Sequence, residues 1–230
     1  MAYYTGTQNL EVMVGAVNYN RFLVLLIKNE ANVGEKVVDF GAGIGTFAKA
    51  ISNDGFIVQC IEPDNLQLNL ILDAGLSGLP SLDCIEENSI DMLYSLNVLE
   101  HIEDDIAALK SCYKKIKPGG RLLIYVPAFQ VLFSSMDRNV GHFRRYTRNI
   151  LSEKVNAVGF NVIKNEYVDC AGFFASLLFK VIGNKSGTVN RKALIAYDRY
   201  VFPLSRLADT VFNRILGKNV FLVAQKPCLK

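Results

Sequence analysis

The feature that most constrains this chain is a strand-like run that turns directly into glycines, Val37-Val38-Asp39-Phe40-Gly41-Ala42-Gly43-Ile44-Gly45-Thr46. Glycine is needed where a turn takes backbone angles closed to side chains and where a ligand lies against the chain itself. The free amides at the start of the helix that follows, Phe47 to Ile51, favour a negative group. The spacing is G-x-G-x-G, with Thr46 where the third glycine of the dinucleotide fingerprint G-x-G-x-x-G would fall, and this argues against a nicotinamide or flavin dinucleotide. A tight strand-to-helix turn without any ligand would read the same way. What favours a ligand is Glu62, 17 residues past Gly45 at the end of the next strand-like run, Gly55 to Ile61, and just before Pro63. An α/β nucleotide site places a carboxylate there, where its two oxygens match two vicinal ribose hydroxyls.

Downstream, apolar runs alternate with helical periodicity, the pattern of β/α units on a mostly parallel sheet. Lys36–Phe40, Gly55–Ile61, Asp91–Leu96, Arg121–Pro127 and Phe160–Val168 read as strands, and a short strand is placed near Leu76–Leu82. Residues 66–74 have helical character. Another helix starts near Asp104-Asp105 and stops at Lys117-Pro118-Gly119-Gly120, and a third runs from Arg148 to Val158 between a Thr147 cap and a Gly159 stop. Leu10, Met13, Val14, Val17, Val24 and Ile27 predict an amphipathic helix over residues 8–29. About fifty residues separate Val168 from the terminal run Asn219–Ala224, too many for a plain connection. Within them Leu204, Leu207, Ala208, Val211, Phe212 and Ile215 form a helical stripe, with Arg206, Asp209, Asn213 and Arg214 opposite and Gly217 as the stop. The expectation is one domain over residues 1–230: a helical cap at 1–30, an α/β core at 36–168 and 219–224, and a helical insertion at 170–217.

Composition bounds the rest. At 230 residues, 50% hydrophobic and only 20% charged, with mean hydropathy +0.21, the chain is neither disordered nor low-complexity. Its net charge of +3 is small and dispersed, which argues against nucleic acid as a partner. The five cysteines form no Cys-x-x-Cys pair and read as core residues in a reducing cytoplasm. With two histidines no His-rich metal set is available, so no metal is expected. The first residues lack the pattern of a signal peptide, and Ala171–Phe179 is too short to cross a bilayer.

Four segments together resemble the class I S-adenosylmethionine-dependent methyltransferases, of the type 11/12-like kind: Asp39–Gly45 (DFGAGIG), Ile61–Pro63 (IEP), Asn88–Asp105 (NSIDMLYSLNVLEHIEDD) and Ile116–Gly120 (IKPGG). The resemblance covers Lys36 to about Val168 and the last strand. It implies a Rossmann-like three-layer sandwich whose seven-stranded, mostly parallel sheet ends in an antiparallel strand. It also implies S-adenosylmethionine on Asp39, Gly41, Ala42, Gly43 and Gly45, with Glu62 and Pro63 at the ribose. The adenine would lie near Ser81 and Leu82, where the chain departs from the commoner Gly-Asp form, and Asn97, Val98 and His101 would lie beside the methionine part. For Glu100 and His101 a capping and packing role at the next helix start stays open.

A second polar constellation, Met136 to Thr147, concentrates Asp137, Arg138, His142, Arg144, Arg145 and Tyr146 just past the fifth strand. In one reading His142 is the general base for an acceptor hydroxyl, Asp137 orients it, and Arg144, Arg145 and Tyr146 meet the substrate. In the other, the arginines pair with local carboxylates and His142 closes a turn. Tyr19 and Arg21 on the first helix either close over the methionine end of the ligand or form a solvated face. The expected reaction is metal-independent, in-line methyl transfer, by preference to a hydroxyl, with carbon and nitrogen acceptors open. The apolar stretch Phe173–Phe179 suggests a small hydrophobic or lipid-linked acceptor and peripheral contact with a membrane; packing on the sheet or against a second subunit are the alternatives. A non-catalytic S-adenosylmethionine-binding protein and a nucleotide-dependent oxidoreductase are the competing functions.

Overall fold

A computed structural model describes residues 15–182 and 191–228. The chain runs α1 (Val17–Glu30), β1 (Lys36–Phe40), α2 (Thr46–Ser52), β2 (Ile57–Ile61), α3 (Asn65–Asp73), β3 (Ser77–Leu79), β4 (Ile90–Leu96), α4 (Asp105–Lys115), β5 (Ile116–Pro127), α5 (Ser135–Asn139), α6 (Arg148–Val158), β6 (Asn161–Val168), α7 (Cys170–Ile182), α8 (Arg191–Ala196), a π-helical turn (Tyr197–Val201), α9 (Phe202–Phe212) and β7 (Asn219–Gln225). The seven strands form one sheet in the order β3-β2-β1-β4-β5-β7-β6. Only β7 is antiparallel to its neighbours, as the family resemblance implied.

Why the strands read as unbroken apolar runs is visible in the core, which lies in two parts, one on each face of the sheet. Val38, Leu93, Leu122, Ile124, Val220 and Leu222 point to the face covered by α4 and α6 through Leu109, Cys112, Leu151 and Val155. Their chain neighbours Val37, Met92, Tyr94, Leu123, Tyr125, Phe221 and Val223 point to the face covered by α1, α2 and α3 through Leu23, Ile27, Ile51 and Ile71. Successive side chains alternate faces, and because both faces are covered both sets must be apolar.

Three element boundaries depart from expectation. The segment Ile116–Gly120 begins β5 instead of forming a helix stop: Ile116 pairs with Ile90, and an irregularity follows before Met92 pairs with Arg121. Gly120 fits there because a Cβ would come within 3.0 Å of Asp91 O and 2.9 Å of Lys117 O. The strand near residues 76–82 contracts to Ser77–Leu79, since Leu82–Cys84 is a 3-10 turn capped by the Ser81 hydroxyl. In α1, Val17 faces outward while Leu23, Leu26 and Ile27 are buried; Leu10, Met13 and Val14 lie outside the described residues. Thr147 and Gly159 cap α6 as expected, the hydroxyl accepting from Ile150 N and the glycine taking φ 111°.

The insertion is helical as expected, and its apolar stripe faces outward. Leu204, Leu207 and Val211 are exposed, while Ser205 and Asp209 are buried. These buried polar groups satisfy the first amides of α7: Asp209 accepts from Asp169 N and Cys170 N, and Ser205 Oγ accepts from Ala171 N. A helix start needs acceptors for its free N–H groups, and here a second helix supplies them from its polar face. The insertion also caps α1, since Asp198 accepts from Asn18 N and Tyr19 N at 2.9 and 2.8 Å.

Candidate active site

The order of the strands reverses between β1 and β4, and an open α/β sheet binds its ligand outside the carboxyl ends at such a point. The glycine loop leaves β1 there. Gly41, Gly43 and Gly45 have φ of 80°, 57° and 76°, a region that favours glycine. A Cβ on Gly41 would stand 2.4 Å from Val98, on the segment leaving β4, so the two exits touch and only glycine fits between them. Ala42 is buried beneath the loop.

Glu62 ends β2 facing this loop. Its Oε2 accepts from Gly43 N at 2.8 Å and its Oε1 from Asp64 N at 3.0 Å, so each oxygen is held in place with a lone-pair direction to spare. Burial raises the carboxyl above its ordinary range, opposed by the Asp64 and Gly43 amides. Asp39, at the end of β1, is 3% exposed. Burial pushes it up to about 7, offset by the Tyr94 hydroxyl and reinforced by Glu62. Its Oδ2 has no hydrogen-bond partner among the described residues. An anchored carboxylate and an unsatisfied buried oxygen beside a loop that only glycines can form fit a ligand that carries hydroxyl donors. Pro63 is exposed beside Glu62, and Ser81 and Leu82 lie past β3, one strand further out.

Asn97 leaves β4 with φ 54°, and its N–H donates to Tyr125 O at 2.7 Å. Phe129 and Asp169 have φ of 57° and 66° just beyond β5 and β6. Three non-glycine residues in this region at successive strand exits mark the carboxyl edge as a place where backbone strain is tolerated. Tyr19 from α1 reaches the same edge, its hydroxyl near Tyr125 and Asn97, with burial raising it above the ordinary tyrosine range. Arg21, two residues on and so turned toward the other side of the helix, is exposed.

Past β5, the polar loop folds around Asp137, which is 1% exposed. It accepts from Ser134 N at 2.8 Å, Arg145 Nε at 2.8 Å and Arg145 Nη2 at 3.0 Å, and meets His142 Nδ1 at 2.8 Å. Burial alone would raise this carboxyl, but His142 and Arg145 outweigh it and hold Asp137 well below the usual carboxylate range. An ionised Asp137 requires the proton on His142 Nδ1, which leaves Nε2 as a lone-pair acceptor. That nitrogen lies 3.8 Å from Oε1 of Glu100. Glu100 is 0% exposed and neither of its oxygens has a hydrogen-bond partner among the described residues. Burial pushes Glu100 up to about 8, while burial and then His142 push His101 down to about 4. The two rings meet edge to face at 4.5 Å.

Counting histidines in the sequence missed this convergence. Glu100, His101 and His142 bring one potential metal-ligating atom each within 4.8 Å of one another. The signal was the Glu-His dipeptide at a strand exit, but its partner lies about forty residues on.

Three expected substrate contacts are already occupied. Arg144 pairs with Asp105 at 2.9 Å and donates to Glu103 O. Tyr146 is fully buried, its hydroxyl donating to Asp105 at 2.8 Å. Arg145 is spent on Asp137 and the Ala128 carbonyl. They hold the loop in shape and leave the exposed Arg138 and the Nε2 of His142 as its open polar groups. Lys218 was passed over in the sequence. Its N–H donates to Asp169 O and its carbonyl accepts from Ala128 N. Burial lowers its ammonium, opposed by Asp169 and Asp137 and reinforced by Arg145.

Glu100 makes stability depend on pH. In the unfolded chain it loses its proton near 4.5, in the fold near 8, so between these values the folded state holds a proton the unfolded state lacks and stability falls as pH rises. Glu100→Gln removes that loss. Relative to the parent, the variant gains on the order of 2 kcal/mol between about pH 5 and pH 8, measured by denaturant melts across pH. A difference that stays flat with pH would show Glu100 ionised in the fold.

A methyltransferase-domain family model matches residues 18–165. The ubiquinone biosynthesis O-methyltransferase of Pseudomonas savastanoi pv. phaseolicola is 31% identical over 116 residues, 46% of each chain. The chain thus spans about half the length of the curated relatives it matches. Among solved structures, a SAM-dependent methyltransferase from Thermotoga maritima superposes with TM-score 0.64 at 14% identity, covering 98% of this chain and 100% of that one. Phosphoethanolamine N-methyltransferase 2 of Haemonchus contortus, in complex with S-adenosyl-L-methionine, superposes with TM-score 0.63 at 21% identity over 91% of this chain and 52% of that one. At these identities the superpositions speak for the fold.

Proposed function

Since the chain belongs to the S-adenosylmethionine-dependent methyltransferase family, its residues 18–165 matching a methyltransferase domain, we propose that it O-methylates a small hydrophobic or lipid-linked acceptor, with His142 as general base. The observation that carries this reading is the Asp137–His142 pair at 2.8 Å, with Nε2 left free to take a proton, at the same sheet edge as the glycine loop. The relatives named O-methyltransferases agree with a hydroxyl acceptor.

The bound cofactor supplies a methyl on a sulfonium, a good leaving group, so the protein's task is alignment in a dry cavity. Gly41 and Gly43 let the backbone approach, Glu62 accepts from the ribose hydroxyls, and Asn97, Val98 and Tyr19 line the methionine end. His142 takes the proton that the acceptor hydroxyl gives up. Asp137 holds the imidazole in the needed tautomer and stabilises its charged form, and the Lys218 ammonium faces an anionic part of the acceptor.

A second reading has one observation in its favour: the two buried, unpartnered oxygens of Glu100 beside His101 and His142 suit a divalent cation. Labelled-methyl transfer to lipid and small-molecule extracts, with and without prior chelation, tests both, the product being identified by mass. Methyl incorporation that survives chelation supports the base mechanism; loss restored by a divalent cation supports the other. Calorimetry with S-adenosylmethionine and with NAD separates the family reading from an oxidoreductase, which would bind NAD. Binding of S-adenosylmethionine without any transfer would make the chain a binding protein.

A further inference from the structure

Helix α9 turns outward the face that its sequence marks for burial. Leu204, Leu207 and Val211 are 68%, 69% and 69% exposed. The opposite face is fastened inward by the bonds from Ser205 and Asp209 to the start of α7, so the helix cannot roll its apolar stripe into the core without leaving those amides bare. Helix α7 packs against α9 and adds Phe174 and Leu178, 57% and 59% exposed. Among the described residues, half of the large apolar side chains that are exposed fall between residues 170 and 218.

Charge identifies what covers this face. Residues 170–218 hold eight Lys and Arg against two acids, Asp198 and Asp209, whereas the rest of the chain has 17 basic and 20 acidic residues. Both acids are buried and committed to capping α1 and α7. Among the described residues Lys180, Arg191, Lys192, Arg199 and Arg214 are the exposed basic residues of the segment, so its outer surface is apolar and cationic, with no exposed acid in it. A second copy would bring a like-charged rim. A sheet of anionic phospholipid headgroups over hydrocarbon matches both properties, as for helices that lie in the membrane interface. No helix of the described residues is long and apolar enough to cross a bilayer.

We propose that α7 and α9 dock on anionic membrane surfaces, the apolar stripe entering the headgroup layer and the basic residues meeting lipid phosphates. The inference rests on the methyltransferase reading only for its purpose: α7 leaves β6 at the carboxyl edge, so docking turns the acceptor side toward lipid.

Flotation of the full chain tests it. The protein should float with vesicles of phosphatidylglycerol and phosphatidylcholine at low salt and stay behind with phosphatidylcholine alone, and half-molar salt should reduce the bound fraction several-fold. Leu207→Glu combined with Val211→Glu should lower the bound fraction at least tenfold while thermal stability and S-adenosylmethionine affinity stay unchanged, because both side chains are exposed and neither is among the residues placed around the glycine loop. Wild-type protein that stays soluble with anionic vesicles, equal binding to neutral ones, or an unaffected double variant would overturn the proposal. So would a lipid-free dimer that the double variant dissociates, which would assign the face to a second copy. Flotation without S-adenosylmethionine binding would sink the methyltransferase reading alone; the reverse would sink this one alone.

Discussion

His142→Ala lowers methyl-transfer turnover by about 10²- to 10⁴-fold, the usual contribution of a positioned general base, while leaving the affinity for S-adenosylmethionine within a few-fold of the parent. The reason is geometric. His142 keeps an open nitrogen that can accept a proton, and Asp137 fixes its tautomer through a 2.8 Å contact. Asp137→Asn acts differently, since an amide at that place can donate to Nδ1 and stabilise the wrong tautomer. Turnover falls while S-adenosylmethionine affinity stays within a few-fold of the parent, a split that simple loosening of the loop does not produce. Arg145 and Ser134 also lean on Asp137, so melting temperatures accompany the kinetics. A fully active His142→Ala on the identified product would remove the base from the mechanism and turn attention to the Glu100–His101–His142 cluster.

Glu62→Ala weakens S-adenosylmethionine binding by about 100-fold or more, measured by calorimetry. Two hydrogen bonds from a carboxylate to ribose hydroxyls contribute about 1.5–3 kcal/mol each when the acceptor is charged. The truncation also releases Gly43 N and Asp64 N, which the carboxylate now holds, so the glycine loop loses part of its preset shape. Glu62→Gln keeps the side chain's length and one acceptor oxygen, and it should lose about tenfold. An affinity for Glu62→Ala within three-fold of the parent would mean that the cofactor lies elsewhere, whatever the loop resembles.

The parts of the site legible in the sequence are those made by short stretches. Asp39 to Gly45 and Glu62 lie at the ends of adjacent parallel strands, and a strand end is a place that local pattern predicts. Their meeting needs only β1 and β2 to pair in register, Phe40 against Ile61. The parts that were not legible depend on partners distant in the chain. Arg144 and Tyr146 looked available because a loop of charges in an apolar chain suggests binding, yet Asp105 from α4, about forty residues earlier, occupies both. Glu100 looked like a capping residue, and only the fold leaves its two oxygens sealed from water next to His142.

Helix α9 shows where periodicity stops being informative. The stripe Leu204, Leu207, Val211 predicts a helix correctly because side chains three or four apart share a face on any helix. It does not say which face turns inward. That was decided by the need of α7 for acceptors at its first amides, a requirement created by a different segment and met by Ser205 and Asp209. An unsatisfied amide in a buried position costs about as much as a leucine gains by burial, so the three amides at the start of α7 weigh as much as Leu204, Leu207 and Val211 together.

By itself, then, the sequence determined the alternation of strands and helices, the glycine turn and the carboxylate that faces it, because each follows from backbone angles and face alternation within a few residues. Tertiary structure alone decided which polar side chains are spent and which stay open, that two histidines and a buried glutamate converge, and that the apolar face of the insertion looks outward. Those outcomes depend on which donors and acceptors meet across long separations in the chain, and no local pattern encodes that competition.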